Sequence, residues 1–332
     1  MDGEHAAGPA PELLQHGIVV GVDGSEQSIG ALLWAEREAA RRKAPLYLVT
    51  AYTVPVFAAS SMDAGYATVN DDVIRAGARS VLDAALERLA GSSVELHWRI
   101  EVGDAAGVLR DLSAEAELMV VGSRGRGGFV GRLLGSVSSA LPAHAKCPTA
   151  VIPLRSGPRP GQPDAGRSET AMQAERVVVG ADGSEHARMA SLVAAEEARA
   201  RGLPLHVICS VAPFSGSLAW VPAPVDREAL HADLAAQLAA GRDWLASHFP
   251  DVDISAEIRD GAPVEVLVEA SATSELLVVG TRGRGGFAGM LLGSTSQGVL
   301  QQARGPVLVV PDEADPRLED RSSFGPMVPS GR

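Results

Sequence analysis

The sequence predicts an α/β protein: two homologous units in tandem, each a doubly wound parallel sheet with helices on both faces. Three observations carry this. The 332-residue chain repeats itself at an offset of 158–159 positions. Its strand candidates are apolar throughout instead of alternating, as strands covered on both faces are. Strand and helix signals alternate along each repeat, and that order implies parallel pairing through crossover helices.

The first unit shows its elements in order. Ile18–Asp23 is a continuous apolar strand, and Ser25 then caps a helix over Gln27–Arg42. Leu46–Tyr52 is a second strand and Asp71–Ala90 a second helix. Val94–Glu101, Asp104–Ala114 and Leu118–Gly122 continue as strand, helix and strand. A glycine-rich loop, a short helix from Gly135 and a last strand over Thr149–Pro153 complete the unit.

The second unit answers these landmarks. Ile18-VVGVDGS-Glu26 returns as Val177-VVGADGS-Glu185 at an offset of 159, and Gly103-DAAGV-Leu109 as Gly261-APVEV-Leu267 at 158. One residue is therefore deleted between the two landmarks. Leu118-MVVGSRGRGGFVGRLLG-Ser136 returns as Leu276-LVVGTRGRGGFAGMLLG-Ser294, with fifteen of nineteen positions identical. The units are expected over 16–154 and 175–312. The Pro- and Gly-rich segment 155–174 reads as an exposed linker, and 1–15 and 313–332 as unstructured tails.

Composition narrows the function. A net charge of −12 argues against nucleic acid or an anionic membrane as partner. No apolar run reaches the roughly 20 residues of a membrane helix, and the start Met1-DGEH has no signal-peptide character. The expected location is cytoplasmic. Cys147 and Cys209 lack metal or redox spacing and read as buried free thiols. The eight histidines are scattered without metal-ligand spacing.

Chemistry is carried by the glycines. A strand that runs into bare backbone and then a Gly-Ser helix start suits an anion, because backbone amides must approach it closely. In a parallel sheet, ligands bind beyond the carboxyl ends of strands where the winding reverses. The Asp23-Gly24-Ser25 segment and the glycine loop both emerge at such ends. A carboxylate accepts hydrogen bonds from ribose hydroxyls or a base amine but repels phosphate, so Asp23 and Asp182 are expected to face a nucleoside. Phosphates are expected against Gly125, Gly135 and the amides of Ser136 and Val137. Gly283, Gly293, Ser294 and Thr295 correspond in the second unit. Gly21, Gly122, Ser123, Gly127 and Gly128, with Gly180, Gly280, Thr281, Gly285 and Gly286, are counted with them as nucleotide-binding candidates. A turn plus helix cap is the plain structural reading of Asp-Gly-Ser; its repetition opposite a repeated glycine loop favours the ligand role. Two readings stand for Arg124, Arg126, Arg282 and Arg284: partners of phosphate oxygens or solvated loop charges.

Other signatures fail. There is no G-x-x-x-x-G-K-[ST], and the chain's two lysines, Lys43 and Lys146, both lie in the first unit. Gly283-RGGF-Ala288 fits a dinucleotide fingerprint, but it follows the fourth strand, and the first copy has Val130 at the last position. No general base and no metal set is identifiable.

With these residues in hand, the chain resembles a tandem universal stress protein. ATP-binding members of that family carry G-2x-G-9x-G-[ST] after the fourth strand. Gly122, Gly125, Gly135 and Ser136 reproduce it, as do Gly280, Gly283, Gly293 and Ser294. The resemblance implies a Rossmann-like, five-stranded sheet of order 3-2-1-4-5 in each unit. It also implies adenine nucleotide in each site, as ATP with or without Mg, the two domains about a pseudo-twofold, and a homodimer. The function it implies is a stress-response regulator or sensor with slow turnover at most. Pro142 departs from the pattern, since the second unit has Leu300 at that place, and proline is expected to shorten or kink its helix. Arg132 is likewise replaced by Met290. Two other classes compete: a slow ATPase or ATP-pyrophosphatase-like enzyme, whose S-G-G-x-D-S run Gly21-VDGS-Glu26 lacks, and a scaffold with vestigial sites.

Overall fold

A computed structural model describes residues 8–9, 16–53, 71–125, 134–153, 176–212, 227–283 and 291–319. The chain divides into two units, Met1–Leu154 and Arg155–Arg332. In the first, chain order runs β1 (Gly8–Pro9), β2 (Ile18–Gly21), α1 (Glu26–Arg42), β3 (Leu46–Tyr52), α2 (Asp71–Glu87) and β4 (Leu96–Val102). It continues through α3 (Ala105–Leu112), β5 (Leu118–Gly122), α4 (Ser136–His144) and β6 (Thr149–Ile152). The sheet order is β1-β4-β3-β2-β5-β6, and every pairing is parallel. Setting β1 aside, this is the 3-2-1-4-5 order.

The second unit runs β7 (Val177–Gly180), α5 (Glu185–Arg201), β8 (Leu205–Val211), α6 (Arg227–His248), β9 (Ile254–Asp260), α7 (Pro263–Ser271), β10 (Leu276–Gly280), α8 (Ser294–Gln302) and β11 (Val307–Val310). Its order, β9-β8-β7-β10-β11, is again parallel throughout. A single 3-10 turn at Pro316–Leu318 follows β11.

The central strands are buried on both faces, as their apolar runs required. Ile18, Val19 and Val20 have no exposed surface, and neither do Val177 and Val179 in the second unit. Leu32, Ala35 and Ala39 of α1 close over the first sheet, and Leu192, Ala194 and Ala198 of α5 over the second. Each of these helices carries one buried carboxylate. Glu38 pairs with Arg41 (2.5 Å) and Arg42 (2.8 Å), and Glu197 pairs with Arg201. A buried charge left alone would be costly, so the i,i+4 arginine is the necessary companion.

Several details differ from expectation, among them the turn at Pro316–Leu318, which lies inside the segment 313–332 expected to lack structure. Gly8–Pro9, inside the segment expected to lack structure, pairs with His97–Trp98 of β4. Gly and Pro have low strand propensity, so only the waiting edge of β4 explains this pairing. Pro142 does not shorten its helix: α4 and α8 are both nine residues long. It lies in the last turn, where it removes one bond, that to the Ser138 carbonyl, and Ala145 still donates to Leu141 (2.9 Å).

Candidate functional site

The chain goes from β2 to β3 and β4 on one side, then returns to β5 on the other. The winding therefore reverses between β2 and β5, which pair directly through Ile18–Leu118 and Val20–Val120. Beyond their carboxyl ends lies a cavity of about 290 Å³. Gly21, Asp23, Gly122, Arg124, Gly125, Gly135, Ser136 and Val137, all expected at the site, line it together.

Asp23 is fixed by its neighbours. Its Oδ1 accepts from the Ser25 amide (3.0 Å) and the Ser25 hydroxyl (2.6 Å), and Gly24 takes φ 78° to make the turn. The Ser25 Oγ in turn accepts from the Ser28 amide (3.2 Å), capping α1. The turn-and-cap reading and the cavity-lining reading thus describe the same residue.

The glycines divide by what they make room for. A Cβ on Gly125 would overlap the Asp23 carboxylate, so this glycine keeps the carboxylate beside the loop backbone. A Cβ on Gly122 would lie 2.7 Å from the Gln27 carbonyl carbon, and one on Gly21 would lie 3.0 Å from Leu109. Those two serve the close approach of α1 and α3 to the sheet. Ser123 is buried and does not line the cavity; its carbonyl accepts from Gly135 N (2.9 Å) and Ser138 Oγ (2.7 Å). It anchors the start of α4 to the end of β5.

That helix start has the geometry of an anion-binding element. Gly135 is its N-cap in extended conformation, and no side chain caps it. The first amides of a helix lack intrahelical acceptors and carry the positive end of its dipole. Ser136 and Val137 therefore offer donors where the cavity opens. Ser138 adds a brace, since its Oγ also accepts from Gly135 N at 3.0 Å.

The second unit repeats this construction. Asp182 Oδ1 accepts from Ser184 N (3.0 Å), and a Cβ on Gly283 would overlap the Asp182 carboxylate. Gly280 meets the His186 carbonyl and Gly180 meets Leu267 in the same manner. Gly293 caps α8 without a side-chain bond, which leaves Ser294 and Thr295 as the first-turn amides. Thr281 is buried, its carbonyl accepting from Gly293 N (2.7 Å), and Ser296 Oγ donates to the Gly280 carbonyl (2.7 Å). Arg126, Gly127, Gly128, Arg284, Gly285 and Gly286 lie outside the described residues, as do Arg132 and Met290.

Several lining residues were not anticipated. Val22, Val49, Ala51, Leu109 and Leu134 give the first cavity apolar walls, and Ser28 and Ser138 contribute hydroxyls. The signal for Ser138 was present: Ser296 stands at the same offset of 158, just past the matched run. Leu109 belongs to the repeated Gly103–Leu109 landmark. Val49 and Ala51 had none, because a hydrophobic strand end looks the same whether it faces a core or a base. Among the described residues no cluster of three or more His, Cys, Asp or Glu is placed to hold a metal ion. No described helix is long and apolar enough to cross a membrane.

Comparison with known proteins gives the family and agrees with the fold. The model of the universal stress protein family matches twice, over residues 16–153 and 173–311. The chain belongs to the universal stress protein family. It is a tandem universal stress protein, similar over nearly its whole length to others of that form. One from Mycobacterium tuberculosis strain H37Rv is 35% identical over 305 residues, covering 88% of this chain and 95% of its own. One from Mycobacterium bovis is 35% identical over 299 residues, covering 89% and 97%. Among solved structures, a universal stress protein from Archaeoglobus fulgidus superposes with a TM-score of 0.60 at 19% identity, covering 91% of this chain and 98% of its own. A putative universal stress protein from Pseudomonas aeruginosa gives 0.55 at 16%, covering 89% and 93%. These two matches concern the fold alone.

Proposed function

We propose that this universal stress protein binds one adenine nucleotide in each unit and acts as a cytoplasmic regulator whose conformation the nucleotide sets. One observation carries the reading. A carboxylate, apolar walls and an uncapped helix N-terminus meet in one cavity at the sheet's switch point. The same carboxylate, glycine and helix start recur in the second unit. The volume of about 290 Å³ sits near the lower end of the range for small-molecule pockets, roughly 300–1,000 Å³. A cavity of that size suits a nucleoside, with the charged tail directed to the start of α4.

The residues divide the work. Val49, Ala51 and Leu109 exclude water from a base, and Asp23 accepts hydrogen bonds from donors of the nucleoside. Gly125 and Gly135, with the amides of Ser136 and Val137, hold phosphate oxygens; Gly283, Gly293, Ser294 and Thr295 do so in the second unit. Arg124 and Arg282 extend that positive region. ATP would supply a charged, exchangeable ligand, and Mg would enter as its companion. Neither Cys147 nor Cys209 is in a disulfide, which suits a reducing compartment. A homodimer belongs to the same reading, and light scattering of the purified protein tests it.

The experiment is calorimetry of nucleotide-free protein with ATP and GTP. Heat with ATP and a stoichiometry approaching two per chain is expected. Silence at millimolar ATP would refute the proposal.

A further inference from the structure

The two sites are not equivalent, and the difference lies just after β11. Asp312 Oδ2 stands 4.0 Å from the Arg282 guanidinium and 3.4 Å from His186 Nε2. Arg282 is the second unit's copy of Arg124, which lines the first cavity. His186 occupies the position of Gln27, and Asp312 that of Leu154, by the offsets of 159 and 158. No carboxylate within ion-pair distance of Arg124 is found among the described residues. The second site thus carries an acidic residue where the first unit has an aliphatic one.

Asp312 does not stand there by accident of a loose end. The segment that bears it goes on to a 3-10 turn at Pro316–Leu318. There Arg317 donates to Glu196 of α5 (2.9 Å) and to the Asp315 carboxylate (2.6 Å). The stretch from Asp312 to Arg317 is a strap fastened along α5, with its acidic end beside the loop arginine.

We propose that this strap makes the second site discriminate by phosphate charge: Asp312 partly offsets the charge of the Arg282 guanidinium, so the site holds a triphosphate less well than the first site does, relative to a monophosphate. This rests on the nucleotide-binding reading above. A carboxylate that neutralises a nearby arginine costs a ligand in proportion to the ligand's own charge, and ATP carries about twice the charge of AMP. Both side chains are half exposed, 41% for Arg282 and 53% for Asp312, so water and salt screen the effect. The scale is that of exposed ion pairs, which corresponds to roughly two- to fivefold in affinity.

The test is calorimetry of the full-length protein with ATP and with AMP, comparing wild type, Asp312→Asn, Arg282→Gln and the double variant. Circular dichroism confirms that each is folded. In Asp312→Asn, ATP should bind roughly two- to fivefold tighter at one of the two sites, AMP by only about the square root of that factor, and the other site should be untouched. The gain should vanish in the Arg282→Gln background, because the competition is for that guanidinium. Two occupied sites with no change in ATP affinity would overturn the charge filter and leave nucleotide binding standing. A gain that persists without Arg282 would overturn the assignment to that residue. Absence of binding at both sites in wild type would instead refute the underlying reading.

Discussion

Gly122 and Gly125 stand three residues apart in one loop, yet a methyl group would meet different obstacles at each. At Gly122 it would face the backbone of Gln27 at 2.7–2.8 Å, which cannot move without displacing the first turn of α1. Gly122→Ala is therefore expected to destabilise the protein by about 1–3 kcal/mol, the usual scale of overpacking, read from urea unfolding. At Gly125 the methyl group would meet the end of the Asp23 side chain, which can rotate away by giving up its bonds to Ser25. Gly125→Ala should cost less stability and instead remove nucleotide binding in its own unit, so stoichiometry falls from two to one. Gly283→Ala should do the same in the second unit. Similar stability losses from Gly122→Ala and Gly125→Ala, with binding intact in both, would mean that both glycines serve packing alone. The sequence showed that glycine was demanded at both places. It did not show by what, because a spacing records that a side chain is excluded and not which neighbour excludes it.

At the scale of elements, β3 at Leu46–Tyr52 and β5 at Leu118–Gly122 match the expected residues, because apolar runs bounded by turn residues leave little freedom. Helix ends were harder to place. α2 stops at Glu87, not at Ala90, since the chain tightens into a turn with Leu89 N bonded to the Leu86 carbonyl (2.9 Å). Cap chemistry marks a helix start more clearly than side-chain pattern marks its end. The brace at the start of α4 gives a test at this scale. Ser138→Ala leaves the buried Ser123 carbonyl with one partner fewer and loosens the helix N-terminus, which the Gly135 amide alone then ties to the end of β5. A loss of about 1–3 kcal/mol is expected, together with weaker ATP binding in the first unit, since its amides are held less firmly. Unchanged ATP affinity in a destabilised Ser138→Ala protein would separate the brace from the ligand. The strap after β11 is set by charge instead. Hydrogen bonds from Arg317 hold the Asp315 carboxyl below the usual carboxylate range. A depressed folded value contributes stability above the unfolded value of about 4, and this is lost as pH falls through the folded one. Amide exchange across the Pro316–Leu318 turn, corrected for its intrinsic pH dependence, should accelerate below about pH 4. Asp315→Asn should show the fast exchange already at neutral pH. Equal protection of the two proteins at pH 7 would show that the pair does not fasten the strap.

For the molecule as a whole, duplication made the family and the candidate site legible: one glycine loop opposite one Asp-Gly-Ser turn is common, and two copies in register are not. What duplication concealed was divergence, because Asp312 lies beyond the matched run and gains meaning only when β11 brings it beside Arg282. The same whole-molecule view bears on turnover. Hydrolysis needs a group that activates water, and a positioned base typically contributes 10²–10⁴-fold. Among the described residues that line the first cavity Asp23 is the carboxylate, and its Oδ1 is occupied by the amide and hydroxyl of Ser25. The other polar side chains there are Arg124, Ser28, Ser136 and Ser138. None of these is a base at neutral pH without a partner to take its proton. Steady-state ATPase activity is accordingly expected well below about 1 per second, under the ordinary range of enzymes. A faster rate that survives purification and disappears in a Gly125→Ala/Gly283→Ala protein would overturn this and direct attention to Asp23 and Asp182 as catalytic carboxylates. On the function proposed above, a slow rate would leave nucleotide exchange, not chemistry, as the event that sets each unit's conformation. The strap on the second unit would then give the two sites different thresholds for the same nucleotide pool.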